Sequence, residues 1–253
     1  MTARDFLVFW LAGPMMAFGG IAVGERRSLW DAPSKSGVLG VLAACLGLTR
    51  ADQAALLALD QALGFAVRVD DPGWPLRDYH TAQNPTEAAL NRRRKAGLAV
   101  ATRRDELACD DLGTVLSERL YRVNAAVTVA LWVRPRHAYD LGSLAQALRH
   151  PVFTPYLGRR ACPLGVPPTP RIVTASGLAA ALGTVPSTRP GAQAPKGAPE
   201  LWFEWDAGLE AEEEAATALR LRRDALRHRA LWQFTDRQEG LLPLVDPAPE
   251  DTL

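Results

Sequence analysis

Between Ala82 and Glu118 the chain loses the apolar periodicity that marks the segments on either side. A stretch of this length with little large apolar content gives a core nothing to bury, so it must leave the core and return to it. The fold is therefore built from what precedes and follows an excursion. That excursion carries Arg92, Arg93, Arg94, Lys95, Arg103 and Arg104, with no acid between Ala88 and Arg104. A basic finger of this kind suits contact with a phosphate backbone. A solvated surface run has the same composition, and charge alone does not separate the two.

The flanks read more clearly. Phe6–Ala12 is rich in aromatic and β-branched residues and is stopped by Gly13-Pro14, which predicts a buried strand. Residues 13–33 read as loop. Ser34 or Ser36 can cap a helix that begins the run SKSGVLGVLAACLGL. Asp52–Leu63 reads as a second helix. Residues 64–70 alternate like a strand and end at the turn signal Asp70-Asp71-Pro72-Gly73. Leu76–Thr81 reads as a short strand, 120–133 as one long strand, Leu141–Arg149 as a helix and 151–170 as loop. Residues 183–199 are rich in proline and glycine and read as a linker or loop. LWFEW at 201–205 is a strand, and 209–231 reads as one helix with acids first and bases last, as the macrodipole prefers. The order of elements is compatible with an α+β chain holding a split βαβ, ferredoxin-like body.

With 29 Lys+Arg against 28 Asp+Glu in 253 residues, the net charge of +1 argues against a polybasic protein but not against a local basic site. Phe6–Gly24 is uncharged, yet its glycines and Pro14 make a poor helix, and Asp5 spoils a basic leader. No membrane segment is expected. Three scattered cysteines form no CxxC pair and suit a reducing cytoplasm, with Cys45 behaving as a small core hydrophobe. Neither GxxxxGK[ST], HExxH nor GxSxG occurs, so no cofactor, metal or catalytic group is expected.

Three further places carry chemistry. Backbone N–H groups at a helix start, with Lys35 and Ser36 beside them, suit an anion, though ordinary capping uses the same residues. Tyr156, Gly158, Arg159 and Arg160 put an aromatic, a flexible residue and two guanidiniums in one loop, able to stack on a base or grip phosphate. His80, beside Tyr79 and Arg77, is the one histidine in a basic, aromatic setting. It suits metal-independent RNA cleavage or, more simply, a structural or ligand hydrogen bond.

Five segments then occur in order: LAGPM (11–15), PSKSGVLGVLAACLG (33–47), LRDYHT (76–81), VTVALW (127–132) and FTPYLGRRACPL (153–164). Together they resemble the CasD family, the fifth Cas protein family, in its subtype I-E form. The likeness covers residues 6–164. It implies a ferredoxin-like, RNA-recognition-type body over 1–174, with a projecting β-hairpin thumb at about 82–118. Residues 175–253 would form a smaller β-containing C-terminal region. It further implies a non-catalytic subunit of the CRISPR Cascade surveillance complex. Such a subunit caps the 5′ handle of the crRNA and joins a CasC-type backbone to a CasA-type large subunit that inspects target DNA. Lys35, Ser36, Arg77, Tyr79, His80, Tyr156, Gly158, Arg159 and Arg160 fall on matching segments and become handle-contact expectations. The thumb residues rest on charge alone. The alternative is an endoribonuclease that processes CRISPR repeat RNA.

Overall fold

The computed structural model describes residues 3–20, 24–186 and 199–243. The first strand, β1 (Arg4–Ala12), lies between two apolar layers, because its even and odd side chains point to opposite faces. Leu7, Phe9 and Leu11 join one buried cluster, Phe6 and Val8 the other. Two-residue strands β2 (Met15–Met16) and β3 (Arg26–Arg27) interrupt the expected loop. Next comes α1 (Lys35–Cys45), capped by Ser34, whose hydroxyl accepts from Gly37 N at 3.0 Å. It ends in a Schellman turn: Gly47, at φ +76°, donates to Ala44 O and Leu48 donates to Ala43 O. Helix α2 (Gln53–Ala62) runs directly into β4 (Leu63–Asp71), buried along nearly its whole length.

The excursion proves to be longer and more regular than its composition suggests. β5 (Trp74–Pro85) and β6 (Leu112–Val123), each twelve residues long, pair antiparallel from Trp74↔Val123 to Pro85↔Leu112. Helices α3 (Glu87–Lys95) and α4 (Arg103–Leu107) sit at the tip. The ribbon thus begins eight residues before Ala82, and the basic run is helical. Composition hid this because a two-stranded ribbon in solvent needs no apolar stripe.

The single strand expected over 120–133 is in fact two. Asn124, at φ +59°, donates to Pro14 O and breaks the run between β6 and β7 (Ala126–Val133). Helix α5 (Leu141–Arg149) forms as expected, capped by Asp140. After it come β8 (Arg171–Ala175), α6 (Leu178–Gly183) and β9 (Glu200–Glu204). Of the Pro/Gly-rich segment 183–199, residues 187–198 lie outside the described residues.

The helix expected over 209–231 is a second correction. Only α7 (Glu210–Ala215) is helical; β10 (Ala218–His228) and β11 (Gln233–Leu242) then form an antiparallel pair. The reason is a period of two that the macrodipole reading overlooked. Arg222 and Asp224 point inward on β10 and are neutralised across the strand pair. Arg237 holds Asp224 with two bonds of 2.9 and 3.0 Å, and Arg222 Nε donates to Glu239 at 2.6 Å.

Strand order in the main sheet is β10-β11-β9-β4-β7-β1-β8, all antiparallel. Helices α1, α2 and α5 cover one face and α6 the other. The three C-terminal strands continue this sheet past β4. The second sheet is the ribbon with β2 and β3 on the free edge of β6. Cys45 is buried, and burial pushes its thiol up to about 11, as a small core hydrophobe requires. Among the described residues no helix is long and apolar enough to cross a membrane.

Candidate nucleic-acid interface

Two surfaces gather the residues singled out in the sequence. The first is the root of the ribbon. Arg77 and Tyr79 share one face of β5; the guanidinium lies 5.8 Å from the ring centroid and bonds Glu118 at 2.7 Å. Both side chains are exposed, Tyr79 at 55%. Arg159 reaches this root from the 156–162 turn. Its Nη1 donates to Leu120 O at 3.2 Å and its guanidinium stacks 4.7 Å from the Tyr121 centroid. Leu120 is the strand partner of Arg77, so the arginine turn and the ribbon do meet. Arg160 stays exposed beside them.

The turn is shaped by Gly158. It holds φ +86°, and a Cβ there would sit 2.3 Å from Ala17 O. Its place in the site is thus a backbone one: glycine lets the loop press onto residues 17–18.

The other expected contacts spread apart. His80 follows Tyr79 on the strand and so faces the opposite side, where its Nδ1 lies 3.1 Å from Asp78. The tip residues are farther still. From Leu120 to Leu112 at about 3.3 Å per residue is about 26 Å. At the tip Arg93 is spent on structure, donating to Ala99 O at 2.8 Å and Ala108 O at 3.2 Å. Arg94 pairs with Glu87, Arg103 with Glu106 and the Gln83 carbonyl, and Arg92 lies 3.9 Å from Asp111. Lys95 and Arg104 are exposed.

Lys35 needs correction. Its side chain is 1% exposed; its ammonium donates to Glu204 Oε1 at 3.0 Å and Asp60 O at 2.8 Å. Its backbone N–H donates to Asp224 at 2.7 Å. The anion that the start of α1 attracts is therefore a carboxylate of the chain itself. With both groups spent internally, Lys35 holds α1 to the sheet and does not face a ligand. Ser36, 3.3 Å from Ser34 Oγ, remains partly open.

The second surface is a groove of about 930 Å³ above α1. Its floor is the small-residue face of that helix: Gly37, Gly40, Ala43 and Ala44. Ser36, Tyr156 and Gly158 line it; so do Arg27, Arg50, Arg223 and Arg229, with Phe18, Trp30, Phe153, Trp232 and Phe234. Among the described residues Asp60 is the one carboxylate in the lining, and it is turned to Lys35. Arg27 sits on β3 against the ribbon, linking the groove to the first surface. Sequence reasoning missed the contribution of the C-terminal hairpin. The signal lay in RHRALW (227–232), two arginines and a tryptophan, whose arginines the helical reading of 209–231 had spread around an axis.

A wide antiparallel sheet, a projecting ribbon and a groove lined by both arginines and aromatic rings define an α+β protein with a cationic, ring-lined surface. The chain belongs to the Cas5 family of CRISPR-associated proteins: the family described as CRISPR-associated protein (Cas_Cas5) matches residues 6–235. It is 36% identical over 172 residues to the CRISPR system Cascade subunit CasD of Escherichia coli (strain K12), spanning 65% of this chain and 69% of that one. A chain of a CRISPR RNA-guided surveillance complex superimposes with a TM-score of 0.63 at 25% identity, covering 96% of this chain and 90% of the other. A solved Cas protein superimposes with a TM-score of 0.60 at 25% identity, covering 94% and 95%.

Proposed function

We propose that the chain is a non-catalytic, crRNA-binding subunit of a type I-E Cascade surveillance complex working in the cytoplasm. It caps the 5′ handle of the crRNA and links the CasC-type backbone to the CasA-type large subunit. The observation that carries this reading is the arginine turn seated against the ribbon root, in a chain 36% identical to a Cascade CasD. The strand order β8-β1-β7-β4, with helices between β1 and β4 and between β7 and β8, supports a ferredoxin-like, RNA-recognition-type body. The β5–β6 ribbon is then its thumb. Phosphate contacts from arginines supply affinity, and exposed rings stack on unpaired bases.

The endoribonuclease alternative has one contact in its favour, the His80–Asp78 pair at 3.1 Å. That pair faces away from Arg77 and Tyr79, so the groups needed to hold a phosphodiester and move a proton are not on one face.

The test is assembly. Co-expression of the remaining subunits with Arg159→Ala/Arg160→Ala, or with residues 86–111 replaced by a two-residue turn, should lower the crRNA recovered per complex. Full crRNA occupancy in both variants overturns the proposal.

A further inference from the structure

The sharpest unassigned feature of the molecule is a concentration of positive charge without a counter-charge. Arg50 and Arg229 lie 4.7 and 4.2 Å from the centroid of the same indole, Trp232. Neither guanidinium has a carboxylate partner among the described residues, whereas Arg220, Arg222 and Arg237 of the same hairpin all do. Burial and the adjacent Arg50 charge both pull Arg229 below its usual range. Two like charges over one ring repel, and bringing an anion between them is the direct way to relieve this.

The cluster is held in place by the backbone. Arg229 N donates to Gln53 Oε1 at 2.8 Å, tying the β10–β11 turn to the start of α2. Arg50 precedes the same helix, in a loop fixed by Thr49 N donating to Asp52 at 2.7 Å. Trp232, at φ +52°, is half-exposed and closes the turn by donating to Arg229 O. Its ring and the arginines border the groove, which the exposed rings of Phe153 and Tyr156 also line.

We propose that Arg50, Arg229 and Trp232 form a phosphate-binding subsite for single-stranded RNA, with adjoining bases stacked on the aromatic wall of the groove. The inference rests on the crRNA-binding reading and assigns to the C-terminal hairpin a direct part in it. Single-stranded RNA fits better than an acidic peptide because aromatic rings line the groove together with the arginines, and stacking on them serves any base. The groove is of a size that encloses a small organic ligand, about 300–1,000 Å³. Arg27, toward the ribbon, gives the strand a route out to the thumb root.

Gly40 makes the test clean. It sits in the floor of the groove, and a Cβ there meets nothing within 4 Å. Gly40→Phe therefore directs a ring into the groove from a position whose Cβ is unobstructed, while Arg50→Ala/Arg229→Ala removes both guanidiniums. Binding of a fluorescein-labelled oligouridine to the full chain is measured with each. Both variants should bind at least about tenfold more weakly, the loss of roughly one charge-assisted contact or more. The double variant should also lose about 1.4 from the slope of log affinity against log salt. Ultraviolet crosslinks from the wild type should map to the peptides holding Trp232 and Tyr156. Undiminished binding in both variants overturns the subsite, as does equal competition by oligoglutamate. If crRNA still fills complexes carrying these variants, the wider reading stands; if complexes on the wild-type chain hold no crRNA, both fall.

Discussion

Lys35 shows how far the interior can change what a residue is for. A lysine beside a helix start suits an anion, and here the anions are Glu204, Asp60 and, at the backbone, Asp224. The ammonium is one member of a buried charge network that continues through Asp224, Arg237 and Glu239 to Arg222. Such a network adds little net stability as a whole, but deleting one member strands the rest in low dielectric. Lys35→Ala should therefore cost about 3–5 kcal/mol in urea unfolding. A loss below about 1 kcal/mol, the range of exposed pairs, would show that the site is hydrated.

At the scale of elements, the ribbon and its tip behave as separate units. The centre of the main sheet, β1, β4 and β7, is buried on both faces; the tip is held by a few polar contacts. Thr102 and Asp105 cap α4 reciprocally, Thr86 bonds Asp111 at 2.8 Å, and Arg93 gathers two carbonyls. A guanidinium donating to carbonyls contributes about 1.5–3 kcal/mol where it is shielded and less at a half-open site such as this. Arg93→Ala should raise amide hydrogen exchange over residues 96–111 while leaving exchange in β1, β4 and β7 unchanged. Faster exchange throughout would mean that the tip and body unfold together.

At the scale of the whole molecule, a pH response arises at Asp70. A bulge between Val69 and Asp71 turns Asp70 into the layer beneath α6, where it accepts from Arg68 and Thr128. Burial outweighs both partners and pushes its carboxyl up to about 6 from 3.8. Between these values the folded chain holds a proton that the unfolded chain has lost, so this group's contribution falls as pH rises from about 4 to about 6. The fall amounts to roughly 3 kcal/mol at 1.36 kcal/mol per unit. The stability of the wild type minus that of Asp70→Asn, followed by urea unfolding, should decline across that window and stay level above it. A difference that rises instead would mean that Arg68 dominates.

What the sequence determined by itself was everything set by neighbours along the chain. Apolar runs fixed β1, β4 and β9, Ser34 marked a helix start, and the composition of 82–118 announced a departure from the core. The family motifs likewise pointed to the turn at 156–160. What only the tertiary structure decided was every outcome that depends on a partner distant in sequence. β10 is a strand because Arg237 and Glu239 neutralise its inward charges, Lys35 is buried because Glu204 and Asp60 meet it, and the groove exists because a hairpin at 218–242 folds over a helix at 35–45. Periodicity reports how a segment faces its surroundings; which charges those surroundings hold is settled only when the sheet assembles, since a charge is stable in the interior only beside its opposite.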